Sequence, residues 1–580
     1  MQKVDGKGKV IGIDVGGTFT NAVAIVDGEV VAEAKAETTA GNLLDCILPA
    51  LDEVVAQGGA GKELSWDRIV LSTTLSTNAI VTGRFPATGV IAMPGPGVCV
   101  EELGYGSLLV SVPGYVDHRG REVAHLDEKA IRRAATDLAG AGARALAVVG
   151  KFSVRNPDPE KQAARIAVEA VPEFAPATHG HELSGLLNFP RRVATARLNA
   201  GVAAGQRRFV AEARAALEER GLQAPLFILK ADGGTMPLAE SVEMPVQTIL
   251  SGPAASLLGA VALIDGMSAD WTGKTWVFID VGGTTTDIAV AAGKDPLFEP
   301  RGAMIGGHRT LVRAFYTHSA AIGGDSRVSV RGDGAFVIGP ERLGPAAGWG
   351  GPEPTPTDAC LVLGLMDGDA VAKRRAAESL GPLAERAGMD VPEVAARIVN
   401  SWAEAVAGAI RATLARLENR PVYTVSELLA PRSWRADVLI GIGGPAEVIT
   451  PRAARLLGCR PIVPEHFHAA NAIGAALARP TATATVHVDT AESFYAVAEA
   501  GVRERIARPL LFTVEKAENL AQEWARRIAE PLDGPHGQDW PVEITEATSF
   551  NVVRGFHATG KIMDVRAQVK PGLWGGLARD

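Results

Sequence analysis

Residues 11–21, IGIDVGGTFTN, return almost unchanged near the middle of the chain as FIDVGGTTTDI, residues 278–288. Aligning Ile13–Asn21 with Ile279–Asp287 matches seven of nine residues, and the aspartates that open the two turns, Asp14 and Asp280, lie 266 residues apart. Each copy is an apolar strand running into a turn with paired glycines. Gly16 and Gly17, like Gly282 and Gly283, have no Cβ, so backbone N–H groups there can come close to phosphate oxygens. Thr18, Thr20, Thr284 and Thr286 add hydroxyl donors at the same places. Asp14 and Asp280, at the strand ends, suit Mg²⁺ held directly or through the waters this ion retains. A single Gly-Gly turn is usually just a hairpin. Two near-identical copies at domain-scale separation indicate an internal duplication, and two such turns face to face would clamp the β- and γ-phosphates of ATP from both sides. Asp14, Asp280 and Asp287 are the candidate catalytic carboxylates. Asp287 has no acidic counterpart, because the first copy ends in Asn21. The second copy is therefore expected to carry more of the metal chemistry, and the first more of the substrate-facing phosphate contacts.

Outward from the first turn, Val10–Val26 reads as two strands, with a third over Val30–Lys35 after the Asp27-Gly28 hairpin signal. A helix is expected around Leu43–Gln57, strands at Ile69–Ser72 and Thr88–Ala92, a helix over Asp127–Leu138 and a strand at Ala145–Phe152. Strands alternating with helices argue an α/β sheet. Arg191–Arg220 reads as a long helix, and Phe227–Leu229 as a short strand. Around the second turn, Trp276–Asp280 and Ile288–Ala291 repeat the strand pair. Gly339–Pro356 reads as a loop, Val394–Leu417 as an amphipathic helix, and Val438–Ile442 as a strand feeding Gly443-Gly444-Pro445. After about Pro480 the pattern restarts with strands at Thr485–Val488, Val542–Thr545 and Gly560–Gln568 and a helix near Ala517–Ala529.

Composition narrows the function classes. At 580 residues, the chain is too long for one core, since single cores stop growing near roughly 250–300 residues. It is 47% hydrophobic and 21% charged, with a formal net charge of −8 from 66 acidic and 58 basic residues. There is no basic field for nucleic acid or an anionic membrane, so small molecules and proteins are the expected partners. The start, MQKVDGKGKV, lacks the apolar stretch of a signal peptide, and no run approaches a membrane span. Cys46, Cys99, Cys360 and Cys459 are far apart and form no CxxC pair, which points to a reducing, cytoplasmic setting.

Other polar segments stand in apolar surroundings. Ser72–Ala79, with Thr74 and Asn78, either binds a substrate or caps a helix. His179, His181 and Glu182 cluster, but no third anchor for a metal is evident, so ligation is not the favoured reading. Glu465–His468 reads as a surface or interface segment. Ser251, in LSGPAA, either caps the helix that follows or faces a ligand. Gly443 and Gly444 form a glycine turn at a helix start, which suits a nucleoside or an ordinary strand–helix loop. Asn471–Ala476 is a small-residue helix built for close packing. Nucleophile-elbow, zincin and P-loop signatures are absent.

The two Asp-Gly-Gly-Thr turns, Gly443-Gly444-Pro445 and the Asn471–Ala476 helix resemble the phosphate 1, phosphate 2, adenosine and connecting motifs of the actin, sugar kinase and Hsp70 ATPase superfamily. Within it, the chain is similar to the hydantoinase A / 5-oxoprolinase family, which includes acetone and acetophenone carboxylase subunits. The segments that carry this are IGIDVGGTFTN, STTLSTNAIV, GHELSGLLNFPRRVATARLNAGV, ADGGTMPLAESVEMPVQTILSGPAASLLGA, FIDVGGTTTDIAV and GGPEPTPTDACLVLG. Three departures stand out: Asn21 replaces the family's usual Asp, Ala321–Ser326 stands where a longer glycine run is usual, and the chain is shorter than typical members.

The resemblance implies an α/β fold of duplicated actin-like (ribonuclease H-like) lobes around an ATP cleft, with a small C-terminal α+β appendage. On that reading 1–190 is the first lobe, 191–275 a connecting helical and strand region, 276–480 the second lobe, and 481–580 the appendage. It also implies an ATP- and Mg²⁺-dependent amidohydrolase subunit that phosphorylates and opens a cyclic amide such as a hydantoin, 5-oxoproline or lactam. A B-type subunit would complete the reaction within an oligomer. Gly443 and Gly444 would lie on the nucleoside, and Thr74, Asn78, His181, Glu182 and Ser251 would face the substrate. A ketone carboxylase subunit that phosphorylates an enolate is the alternative enzyme. A non-catalytic ATP-driven activator or chaperone is the third reading. It lacks clustered cysteines for an iron–sulfur centre, and the tail after Pro480 is too short for a peptide-binding domain and lid.

Overall fold

The computed structural model describes residues 8–38, 43–57, 66–265, 267, 271–420, 433–532 and 540–578. Residues 1–7, read above for a leader segment, lie outside it.

Two six-stranded sheets repeat one plan. In the first, the order is Thr235–Pro237, Leu226–Leu229, Arg68–Thr73, Lys9–Val15, Phe19–Val26, Glu29–Glu37. In the second it is Asp295–Pro296, Thr286–Ala292, Thr275–Val281, Val438–Ile442, Arg460–Ile462, with Thr317–Ala320 also pairing Thr286–Ala292. Each begins with an antiparallel hairpin over the Gly-Gly turn, and each hairpin's first strand takes a parallel neighbour, Arg68–Thr73 or Val438–Ile442. The register matches as well: Asp14 lies opposite Asn21, and Asp280 opposite Asp287. This is the duplicated, actin-like α/β fold. The central strands are buried along their length, as expected for sheets covered on both faces.

Each sheet is sandwiched. On its outer face the first packs Ile11, Ile13 and Leu71 against Ile47, Leu51 and Val54 of the helix Leu44–Gln57. The second packs Val277, Ile279 and Val281 against Val394, Ile398, Trp402 and Ile410 of Val391–Glu418. Asp390 caps that long helix by accepting from Glu393 N–H at 2.7 Å, the normal satisfaction of an orphan helical donor.

The inner faces carry two helices of small residues. Ser251–Ile264 packs on the second sheet through Ala254, Leu257 and Leu258, and Ala470–Leu477 packs on the first through Ala472, Ile473 and Ala476. The two helices then touch each other backbone to backbone. A Cβ on Gly259 would overlap the Ala470 carbonyl, and one on Gly474 the Ala255 carbonyl; one on Gly12 would strike the Ala472 carbonyl. Further out, His466 and His468 both bond Glu33 of the first sheet, His468 at 2.6 Å, so the Glu465–His468 segment joins the two halves.

A separate parallel sheet, Thr178–His179, Ala145–Gly150, Thr88–Met93, Leu109–Ser111, stands beside these. The C-terminal part is a five-stranded antiparallel sheet backed by the helix Val514–Ala529 through Ala517, Ala521 and Ala525. Its hairpin strands, Val542–Arg554 and His557–Val569, are much longer than the short apolar runs at Val542–Thr545 and Gly560–Gln568 suggested. The distal halves, with Phe550, Val553 and Phe556 exposed, have no core behind them, so they lack the alternation that marks a half-buried strand. Among the described residues no helix is long and apolar enough to cross a membrane.

Candidate functional site

The two glycine turns close in the same way. Gly16 N–H donates to the Phe19 carbonyl at 3.1 Å and Gly282 N–H to the Thr285 carbonyl at 2.9 Å. They face one another: a Cβ built on Gly283 would lie 3.6 Å from Thr18 Oγ1. Asn471, near the start of the inner helix Ala470–Leu477, links the aspartates behind them. Its Nδ2 donates to Asp280 Oδ2 at 3.0 Å and reaches Asp14 Oδ2 at 3.4 Å. Ser256 Oγ, from the other inner helix, donates to the same Asp280 oxygen at 2.7 Å.

The electrostatics follow from crowding three poorly solvated carboxyls together, Asp14 buried and Asp280 and Asp287 half-buried. Burial first, and then the Asp280 charge, push Asp14 up to about 6, with the neighbouring Ser72 hydroxyl and Asn471 opposing. Ser72 opposes without forming a full hydrogen bond, since Asp14 Oδ1 and Ser72 Oγ are both buried and unpartnered. Burial also raises Asp280, against the hydrogen bonds from Ser256 and Asn471. Asp287 is pushed up to about 7 by burial and by the Asp280 charge, with Ser319 opposing. Two carboxylates sharing one amide donor, Asp14 buried and Asp280 half-buried, with one Asp14 oxygen left orphaned, fit a divalent cation that keeps some of its waters.

A raised carboxyl keeps its proton in the folded state at a pH where the unfolded chain has lost it. Free-protein stability therefore falls as pH rises from about 4, the ordinary value, through about 7. Asp287→Asn removes that titration. In chelator, it is expected to flatten the decline and recover on the order of 1–3 kcal/mol at pH 8. Melting curves from pH 5 to 8 check this; a variant with the wild-type pH slope rules out the raised carboxyl.

The four turn threonines divide into pairs. Thr20 and Thr286 are fully buried, and their hydroxyls are spent on the protein: Thr20 on Thr38 at 3.1 Å, and Thr286 on the Ile322 carbonyl at 2.5 Å. Thr18 and Thr284 lie in the turns themselves, outside the paired strand positions, and are the remaining candidate hydroxyls. Gly443, at φ +86°, lies against the end of the second hairpin, where a Cβ would meet Asp280 Oδ1 and the Val281 carbonyl; Gly444 opens to free space.

Thr74 lies beside the first turn, its Oγ1 donating to the Val15 carbonyl at 3.3 Å and accepting from Asn78 Nδ2 at 3.1 Å. Ser251 is fully buried and donates to the Thr73 carbonyl at 3.1 Å, so it fixes this segment rather than facing open space. Leu250, at φ +67°, donates its N–H to Thr77 Oγ1 at 3.1 Å. Thr74, Asn78 and Ser251 are thus brought together next to the first turn.

His181 and Glu182 are not. They follow the edge strand of the separate parallel sheet, where His181 Nδ1 and N–H both meet Glu160 Oε1, at 2.7 and 2.9 Å. Glu160 also accepts from Gly150 N–H at 2.6 Å. Burial would raise Glu160, but His181 and Arg192 together hold it below the usual range. Glu182 pairs with His179 at 3.1 Å. The cluster is a satisfied structural network.

Two family models match the chain, the hydantoinase/oxoprolinase N-terminal region over residues 10–171 and hydantoinase/oxoprolinase over residues 192–484. The chain belongs to the hydantoinase/oxoprolinase family. The caprolactamase subunit alpha of Pseudomonas jessenii is 26% identical over 489 residues, 78% of this chain and 68% of the relative. The acetophenone carboxylase gamma subunit of Aromatoleum aromaticum is 27% identical over 453 residues, 69% of this chain and 60% of the relative. The match thus covers 68% of the first relative and 60% of the second, leaving part of each uncovered. Among solved structures, nucleotide-free acetone carboxylase superposes with a TM-score of 0.73 at 19% identity, covering 98% of this chain and 88% of that one. The ATP-dependent caprolactamase of Pseudomonas jessenii gives 0.68 at 22%, covering 96% and 87%. Those identities are low enough that the likeness is one of fold.

In this hydantoinase/oxoprolinase chain, sequence reasoning did not assign Ser256, Asn471 or Asp325 to the cleft. Asp325 N–H donates to the Gly283 carbonyl at 2.7 Å, and its carboxylate, held by Arg342 at 3.1 Å, occupies the space a Gly283 side chain would need. Asn471 left one signal: it is the single polar residue in an otherwise apolar, small-residue helix.

Proposed function

We propose that this chain is the ATP-dependent activating subunit of an enzyme that opens a cyclic amide, with ATP held between the two glycine turns. The observation that carries this reading is the apposition of the turns over Asp14, buried, and Asp280, half-buried, two carboxylates bridged by Asn471. The N–H groups of Gly17 and Gly283 and the hydroxyls of Thr18 and Thr284 would cradle the phosphates, while the N–H groups of Gly16 and Gly282 close the turns. Gly444, opening to free space beside Gly443, would accept the nucleoside. Asp14 and Asp280 would hold Mg²⁺ directly or through water, and the ion would supply charge neutralisation at the phosphates. Phosphoryl transfer needs positioning and charge stabilisation more than covalent help from the protein, which suits a site of glycines, hydroxyls and carboxylates.

In this reading the amide oxygen attacks the γ-phosphorus, the bond to the bridging oxygen breaks, and ADP leaves. Water then adds to the activated carbon, the ring C–N bond breaks with the nitrogen taking a proton, and a second water cleaves the acyl phosphate so formed to carboxylate and phosphate. Asp287, protonated near neutral pH, would exchange a proton at the cleft wall. Thr74 and Asn78, beside the first turn, are the substrate-facing candidates, with Ser251 holding their segment in place. The similarity to a caprolactamase subunit supports a lactam-like substrate and a B-type partner subunit.

The similarity to acetophenone and acetone carboxylase subunits supports a second reading, phosphorylation of a ketone enolate for carboxylation. An ATP hydrolysis assay separates the two when run across hydantoins, 5-oxoproline and lactams, and across ketones with bicarbonate, with and without the B-type subunit. At least one cyclic amide is expected to stimulate hydrolysis by about tenfold or more. Stimulation by a ketone with bicarbonate alone would replace the first reading with the second.

A further inference from the structure

Val542–Arg554 is the last strand of the C-terminal sheet, and among the described residues no strand pairs with its outer edge. Sheets commonly blunt such an edge by keeping it short or by placing lysine, proline or a bulge on it, because its free N–H and C=O groups are a template for another strand. This strand has 13 residues, and after Thr545 it carries none of those devices. Thr545 is out of register between Ile544 and Glu546, whereas the later irregularity falls on the facing strand, where Thr559 is the extra residue. From Glu546 to Arg554 the edge is continuous, and Gly555, at φ +62°, then turns the chain back.

The far end of this strand also has little support within the chain. Thr483–Asp489 pairs with His557–Val569 only as far as Ile562, so Asn551–Arg554 and His557–Lys561 form a two-stranded ribbon. Such a ribbon is marginally stable in water by itself. Its apolar side chains are in solvent: Phe550 is 64% exposed, Val553 58%, and Phe556, at the turn, fully.

The continuous stretch is complementary to itself. Read antiparallel about Phe550, EATSFNVVR sets Glu546 opposite Arg554, Ala547 opposite Val553, Thr548 opposite Val552, Ser549 opposite Asn551, and Phe550 opposite its own copy. Opposite charges, β-branched pairs and aromatic pairs are the cross-strand combinations that stabilise a sheet. Any other antiparallel register separates Glu546 from Arg554. The bulge at Thr545 and the turn at Gly555 stand equally far from Phe550, so the stretch ends together on both strands. The hairpin's other charges lie on the facing strand, one strand away from this edge: Arg566 opposite Glu546, Asp564 opposite Thr548, Lys561 opposite Asn551 and His557 opposite Arg554. Asp564 is held by His487 and Arg155, and Arg566 has Glu499 and Asp232 near it as well as Glu546. Arg554 has a histidine, and no acid, opposite it within the hairpin.

We propose that this edge pairs with the same edge of a second copy of the chain, antiparallel about a two-fold axis at Phe550. The two five-stranded sheets then become one continuous sheet, and each marginal ribbon gains two further strands. A two-fold contact uses one patch twice, so the Glu546–Arg554 pair forms on both sides of the axis. The contact is independent of the paired turns, so it stands whether or not they bind ATP.

Sedimentation equilibrium of the full chain alone tests this, with folding checked by thermal melting. The wild type is expected to dimerise reversibly. Glu546→Arg or Arg554→Glu sets two like-charge pairs in the interface and should weaken the dimer by about tenfold or more, and the double swap should restore it. Directly opposed Cα atoms in an antiparallel pair lie about 4.5–5.5 Å apart, within reach of a disulfide, so Phe550→Cys should oxidise to a linked dimer where the wild type does not. A monomeric wild type overturns the proposal, and if R554E then loses a B-type subunit the edge belongs to that partner. A dimer that neither single swap weakens overturns it too, as does a double swap no tighter than the singles. Should E546R disturb the fold through Arg566, the other two variants decide: a folded R554E with wild-type affinity, or an F550C that never links, removes the pairing.

Discussion

Replacing Asp280 by alanine is expected to lower ATP turnover by about a thousandfold, the scale of losing one preorganised charge-stabilising group. Asp280 is the junction of the candidate site. It receives Ser256 Oγ and Asn471 Nδ2 on one oxygen, its other oxygen lies against Gly443, and its charge raises both Asp14 and Asp287. Removing it takes away the carboxylate that both turns share. The same change relieves a crowded, desolvated cluster, so the ligand-free protein should unfold at the wild-type temperature or above it. Steady-state ATP hydrolysis and thermal melting, measured on the same preparation, separate the two effects. Turnover within about threefold of wild type would remove Asp280 from the chemistry.

Gly474→Leu is expected to destabilise the chain by more than about 3 kcal/mol, beyond the usual cost of overpacking. The two inner helices meet with no side chain between them at Gly474 and Gly259, and a Cβ on Gly474 overlaps the Ala255 carbonyl. Backbone cannot yield as a flexible side chain does, so the Ala470–Leu477 helix must move off Ser251–Ile264. Asn471 sits on the moving helix, and its bridge between Asp14 and Asp280 goes with it. Urea unfolding should show the midpoint of G474L well below wild type and G474A between them, with ATP turnover falling in the same order. A G474L variant that unfolds at the wild-type midpoint would show that the helix contact is not needed.

Much of this architecture is legible in the sequence. Repetition of Asp-Val-Gly-Gly-Thr is information about two strands and two turns at once, and the structure returns it as matching hairpins in matching register. The Val394–Leu417 stripe was equally readable, because an amphipathic helix buries one face at a fixed period, and it is found as Val391–Glu418. Both strands of the C-terminal hairpin are read at Val542–Thr545 and Gly560–Gln568, but its full length is not, since its distal half is largely exposed and carries no period. His181 and Glu182 resemble a site in one dimension because they are adjacent polar residues. In space they are spent on Glu160 and His179, partners that only the fold supplies.

The sequence by itself determined that two matching glycine turns exist and which residues form them, because glycine pairs and strand-end aspartates are local features with local causes. It also determined their inequivalence, through Asn21 and Asp287. Only the tertiary structure decided what surrounds them. Asn471 reaches both aspartates from a helix 457 residues beyond Asp14 and 191 beyond Asp280. Ser256 arrives from the opposite inner helix, and Thr20 and Thr286 turn inward to the core. Those outcomes depend on two small-residue helices packing without side chains between them, and no stretch of either helix read alone specifies its partner.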